Sequence, residues 1–159
     1  TLFRSKLVIA PHVVSDSHLK EILDKVKRPC IRYTEATEEN VTQADCLIID
    51  CYGLLSSIYR YGEISYIGGG FGVGIHNVLE AAVYGIPVVF GPNNKKFREA
   101  QHLLEQKGGF EVTGYDDFKR LMDKFLSDKA CLQQAGKAAG NYVNHNAGAL
   151  EKIMKDITL

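Results

Sequence analysis

Two rhythms of apolar and polar positions alternate along the 159-residue chain. Short apolar runs at 6–10, 30–33, 46–51, 64–67, 87–90 and 110–113 read as strands. The run at 46–51 is almost wholly apolar, as a strand covered on both faces should be. Between the runs the spacing becomes helical. Leu19, Ile22, Leu23 and Val26 fall at i, i+3, i+4 and i+7, with Ser15 or Ser17 as N-cap. Residues 54–61 form a short helix and 34–40 a polar, solvated loop. A further helix over 77–84 stops at Gly85. Phe97, Ala100, Leu103 and Leu104 line another, with Gly108-Gly109 as its stop. Thr113 and Asp116 resemble a capping box for a helix whose stripe is Phe118, Leu121, Met122, Phe125 and Leu126. From residue 129 onward the chain reads helical, with a break at 144–148.

This alternation predicts one α/β domain over 1–159: a Rossmann-like three-layer α/β/α arrangement with a mainly parallel sheet. In such sheets ligands bind outside the carboxyl ends of the strands. That rule marks four places: Pro11-His12, Tyr52-Gly53-Leu54, the glycines at 68–74 and Gly91-Pro92-Asn93.

Charge narrows the partners. Lys and Arg total 19 against 19 Asp and Glu, so the formal net charge is zero. A general nucleic-acid binder needs a basic excess, and none is expected here. No apolar run approaches the ~20 residues that span a bilayer. Residues 1–4 lack the apolar stretch of a signal peptide. Methionine stands only at 122 and 154, and the missing initiator Met suggests a processed or excised chain. Cys30, Cys46, Cys51 and Cys131 form no C-x-x-C pair. Cys46 and Cys51 are five residues apart, which puts them on opposite faces of a strand. They read as small buried hydrophobes in a reducing compartment.

The glycines carry the strongest chemical signal. Five occur within 68–74, between a strand and a helix. Glycine admits φ > 0 and lets backbone N–H groups approach an anion, which would make a phosphate cradle. A tight crossover without a ligand uses the same residues. No Lys follows the run, so it is not a Walker A loop. Ile75 or Asn77 stands where a dinucleotide fingerprint needs its third glycine. Glu80, three residues after Asn77, suits either the hydroxyls of a ribose or the helix dipole. His76 and His12 suit either an anion contact or a cap. Lys95-Lys96-x-Arg98 suits an anionic surface or a solvated helix start. His12 with His18 or His76 lacks a metal-ligand spacing, so no metal and no cofactor are expected. No nucleophile–base constellation stands out, and no catalytic residue is assigned.

Four stretches together resemble a known family. They are Asp50-Cys51-Tyr52-Gly53-Leu54-Leu55, Tyr66-Ile67-Gly68-Gly69-Gly70-Phe71, Gly74-Ile75-His76-Asn77-Val78-Leu79-Glu80 and Pro87-Val88-Val89-Phe90-Gly91-Pro92. With the upstream Ile9-Ala10-Pro11-His12, they resemble the C-terminal domain of the 3-deoxy-D-manno-octulosonic acid (Kdo) transferases. The resemblance implies half of a GT-B glycosyltransferase, whose two Rossmann-like domains face a cleft. It implies binding of the nucleotide sugar CMP-Kdo through Pro11, His12, Tyr52, Gly53, Leu54, Gly69, Gly70, His76, Asn77, Val78, Leu79 and Glu80. Glu80 would hold the ribose; the glycines and the helix start at Asn77 would hold the phosphate. Kdo would pass to a lipid A precursor in lipopolysaccharide synthesis, at the cytoplasmic face of the bacterial inner membrane. The catalytic carboxylates, the acceptor site and the membrane contact would belong to an N-terminal domain absent here, so this piece alone would be inactive. Two departures stand out. His12 replaces an Arg common in the family, and Gly53-Leu54-Leu55 replaces Gly-Glu-Leu. The alternatives are another GT-B donor domain, a UDP-sugar epimerase, or a non-catalytic α/β binding module.

Overall fold

Six three-residue strands form where the apolar runs predict them, and every pairing among them is parallel. The computed structural model describes residues 5–148 and Met154. The signal-peptide reading of 1–4, and most of the helical reading past 148, lie outside the described residues. The chain divides into two units, one ending at Ser57 and one starting at Ile58.

The first unit contains β1 (Leu7–Ile9), α1 (Asp16–Lys25), β2 (Cys30–Arg32) and β3 (Cys46–Ile48). Its sheet order is β1-β3-β2. Ser15 is the N-cap of α1, its Oγ accepting the His18 N–H at 3.3 Å. The stripe then buries Leu19 against Cys46 and Ile48, with Ile22, Val26 and Cys30 packed around them. Burying a side chain such as Leu19 contributes roughly 1.5–3 kcal/mol. Residues 34–40 are exposed apart from Ala36, as a solvated loop requires, with 3-10 turns at either end. The first spans Tyr33–Glu35 and the second Val41–Gln43. A buried carboxylate, Asp50, fixes Thr34 within the first of these turns.

The second unit begins within the one-turn helix α2 (Leu55–Ile58), followed by a 3-10 turn at Tyr59–Tyr61. It contains β4 (Ser65–Ile67), α3 (Leu79–Ala82), β5 (Val88–Phe90), α4 (Arg98–Glu105), β6 (Gly109–Glu111), α5 (Tyr115–Ser127) and α6 (Lys129–Asn146). Strand order is β4-β5-β6. The central strand β5 is inaccessible to solvent, as an apolar run covered on both faces requires. Ile67, Val88 and Phe90 face a core with Ala81 and Ala82 of α3, Ala100 and Leu103 of α4, and Ala139 and Tyr142 of α6. Tyr66, Val89 and Phe110, in register on the opposite face, meet α5. There Phe118 packs edge-on to Tyr66 and Phe125 edge-on to Phe110, at 5.9 and 5.1 Å between ring centres.

Three local readings need correction. α4 does not stop on a left-handed glycine: Lys107 takes that conformation, at φ 60°. Gly108 is needed for another reason, since a Cβ there would sit 2.5 Å from the backbone of Ala139. The carboxylate that holds Thr113 is Asp117 rather than Asp116. It accepts the Thr113 N–H at 3.1 Å and also its hydroxyl. The helix expected over 77–84 is α-helical only at Leu79–Ala82, then tightens through i→i+3 bonds to Gly85. One turn carries little macrodipole, so it adds little to anion binding. The break expected at 144–148 is present, with α6 ending at Asn146.

Candidate functional site

In the first unit, β1 and β3 are parallel neighbours, so Pro11-His12 and Tyr52-Gly53-Leu54 leave the sheet at the same edge. His12 and Tyr52 are both exposed. The Tyr52 hydroxyl accepts the Val14 N–H at 3.4 Å, joining the two loops. Gly53 takes φ +90°, and no atom lies within 4 Å of a Cβ built on it. The Leu54 carbonyl accepts both the N–H and the hydroxyl of Ser57.

Beneath this edge lies a polar network. Asp50 has its side chain 1% exposed. Its Oδ2 accepts from Arg32 Nε at 2.9 Å and from the Thr34 hydroxyl at 2.5 Å; its Oδ1 accepts the Thr34 N–H at 3.0 Å. Burial pushes the Asp50 carboxyl upward. The bonds from Thr34 and Arg32 outweigh it and hold the carboxyl below its usual value. The register pairs Arg32 with Ile48, two residues before Asp50, which sets guanidinium and carboxylate side by side. Asp50 stands in the family-like stretch, but its role became visible only with this pairing.

In the second unit, β4 runs into the glycine loop. The loop closes on itself: Gly69 O accepts the N–H groups of Gly72 and Gly74 at 2.9 and 3.2 Å, and Gly68 O accepts that of His76 at 3.2 Å. Gly69 is left-handed at φ +86°, and Gly70 lies against Gly91 so closely that a Cβ would meet its backbone nitrogen at 2.6 Å. Packing therefore explains Gly69 and Gly70. Gly68 and Gly72 leave ordinary room for a Cβ, so packing does not require them.

His76 to Glu80 follow directly. Val78 is buried and Leu79 packs on the same core, so any contact they make with a ligand runs through the backbone. Asn77 organises the turn: its Oδ1 accepts the Leu79 N–H and its Nδ2 donates to Glu80 Oε1, both at 3.0 Å. Glu80 Oε2 makes no hydrogen bond among the described residues. Burial raises the pKa of the half-buried Tyr59, and the Glu80 charge raises it further. The structure thus gathers Pro11, His12 and Tyr52 to Leu54 at one edge of the first unit. It gathers Gly69, Gly70 and His76 to Glu80 at one edge of the second.

Lys95, Lys96 and Arg98 are exposed around the start of α4 and form no ion pair among the described residues. Tyr66, Phe71, Val112, Gly114, Tyr115 and Phe118 line an apolar cavity of ≈ 380 Å³ that includes none of the expected site residues. Sequence reasoning also missed Asn94. It is 1% exposed and tied to Gly91, Gln101 and Glu111.

Parallel sheets with helices, and loops gathered at strand carboxyl ends, define an α/β fold. No protein-family model matches the chain. The 3-deoxy-D-manno-octulosonic acid transferase of Aquifex aeolicus (strain VF5) is 32% identical over 126 residues, covering 78% of this chain and 34% of its own length. That of Haemophilus influenzae is 29% identical over 153 residues, covering 93% and 35%. The chain is thus homologous over most of its length to Kdo transferases, and spans about a third of the length of these relatives. Its fold matches the crystal structure of the C-terminal CMP-Kdo binding domain of WaaA from Acinetobacter baumannii. The TM-score is 0.72 at 16% identity, over 89% of this chain and 91% of that one.

Proposed function

We propose that this chain is the donor-binding domain of a Kdo transferase, which binds CMP-Kdo and holds it for transfer of the sugar. The supporting observation is the similarity to Kdo transferases along 78% of the chain, together with the match to a CMP-Kdo binding domain. In this reading Glu80 accepts hydroxyls of the ribose with Oε2, while Asn77 steadies Oε1. Gly69, Gly70 and the backbone from His76 to Leu79 face the phosphate. Pro11, His12, Tyr52, Gly53 and Leu54 are further proposed nucleotide contacts.

In the reaction the bond between the sugar's anomeric carbon and the CMP phosphate oxygen breaks. An acceptor hydroxyl forms the new glycosidic bond and gives its proton to a base in another domain of the full-length protein. This domain's part is to stabilise the charge on the departing phosphate with fixed dipoles. The acceptor is a lipid A precursor, met at the cytoplasmic face of the bacterial inner membrane. No helix among the described residues is long and apolar enough to cross a membrane. In this reading the membrane contact belongs to another domain of the full-length protein.

The test is calorimetric titration of the chain with CMP and with UMP. A clear preference for CMP over UMP is expected, and Glu80→Ala should weaken binding of both nucleotides because they share the ribose. Equal affinity for the two nucleotides would point to a different donor.

A further inference from the structure

The turn after β5 reaches back to the glycine loop and holds it by two bonds. The Asn93 N–H donates to Gly70 O at 2.9 Å, and Asn93 Nδ2 donates to Gly72 O at 2.6 Å. Asn93 is itself exposed, so it does not serve as core filling. Its neighbour anchors the turn from behind. Asn94 Nδ2 donates to Gly91 O at 2.9 Å and to Glu111 Oε2 at 2.6 Å, while its Oδ1 accepts from Gln101 Nε2 at 2.6 Å. The turn is thereby fixed to β6 and α4 before Asn93 meets the loop.

Trans peptide geometry gives this hold a consequence. The N–H of each peptide points opposite to its C=O. Fixing Gly70 O toward Asn93 turns the Phe71 N–H away from it; fixing Gly72 O does the same for the Val73 N–H. Neither N–H has a hydrogen-bond partner among the described residues. Two alternate amides of one loop are thus held outward, on the side away from Asn93. Outward backbone N–H groups without a partner are donors that an anion can take up, although the Gly72 N–H between them is already bonded to Gly69 O.

We infer that Asn93 is a positioning residue for donor binding: its side-chain amide orients the Phe71 and Val73 N–H groups toward the donor phosphate. The inference rests on the reading of the chain as a CMP-Kdo-binding domain, and adds a residue that touches no ligand itself.

Its test separates phosphate from nucleoside. Asn93→Ala is expected to weaken CMP binding about tenfold, the effect of one lost hydrogen bond. Cytidine affinity and the melting temperature should stay unchanged. Asn93→Gln, which keeps an amide donor, should restore part of the loss. A parallel fall in CMP and cytidine affinity would overturn the inference, and so would no fall in either. Failure of the wild-type chain to bind CMP would sink the functional reading instead. In that case amide spectra without ligand still decide the orienting role. Asn93→Ala must shift the Phe71 and Val73 resonances, and unmoved resonances would overturn it.

Discussion

The two units fasten their strand-end loops by different chemistry. In the first, a buried carboxylate gathers Arg32 and Thr34 beneath the loop that carries Tyr52. In the second, backbone contact between Gly70 and Gly91 sets the loop, and the amides of Asn93 and Asn94 tie it down. An ionic fastening depends on protonation, whereas a steric one depends on the absence of a side chain. The comparison therefore predicts that the units fail under different insults.

The largest effect is expected at Gly70. A Cβ there would meet Gly91 backbone at 2.6 Å, with no flexible side chain to yield. Gly70→Ala should cost about 3 kcal/mol or more in urea unfolding. Gly72→Ala, with its Cβ in ordinary contact at 3.6 Å, should stay within about 0.5 kcal/mol. Equal costs would mean the loop is held some other way. Next comes Asp50→Ala, which leaves Arg32 and Thr34 without their acceptor and should cost about 2–3 kcal/mol by the same measurement.

The pH response sharpens the contrast. The Asp50 carboxyl is held below its usual value. Its contribution is complete above the unfolded pKa and is lost as pH falls through the folded one. Stability should drop below about pH 4, and Asp50→Asn should flatten the drop. An unchanged acid slope in that variant would remove Asp50 from the account.

A smaller effect concerns Cys46. Burial, then the neighbouring Cys30 thiol, pushes its pKa up to about 12. Iodoacetamide at pH 8 should leave Cys46 unmodified in the folded chain and label it only in denaturant. Rapid labelling of native Cys46 would contradict its burial. The smallest effect is spectroscopic: Glu80→Gln should lower the Tyr59 phenol pKa in an absorbance titration, because one of the two influences raising it is gone.

The elements were legible because each rests on local pattern. The stripe of α1, its cap at Ser15 and the break after β4 follow from spacing and from residue chemistry within one or two turns. Fastenings were not legible, because their partners are distant in sequence. Arg32 meets Asp50 only once β2 pairs with β3 in register. The same register brings Cys30 beside Cys46, whereas the sequence invited comparison of Cys46 with Cys51. Asn93 was marked only as part of a strand end and Asn94 not at all, because their bonds to Gly72 and Glu111 span 21 and 17 residues. Of the site, the glycine loop and the Asn77–Glu80 pair were visible in the sequence. Spacing alone could not separate glycines required by packing, such as Gly70, from those it leaves open, such as Gly68 and Gly72.

The central claim, as proposed above, is that this chain binds a cytidine nucleotide. Amide spectra recorded while CMP is added test it most directly. The account predicts saturable shifts at Asn77 and Glu80 and at Tyr52 and Gly53, with weaker responses to UMP at equal concentration. Shifts confined to other residues, or the same response to both nucleotides, would contradict it.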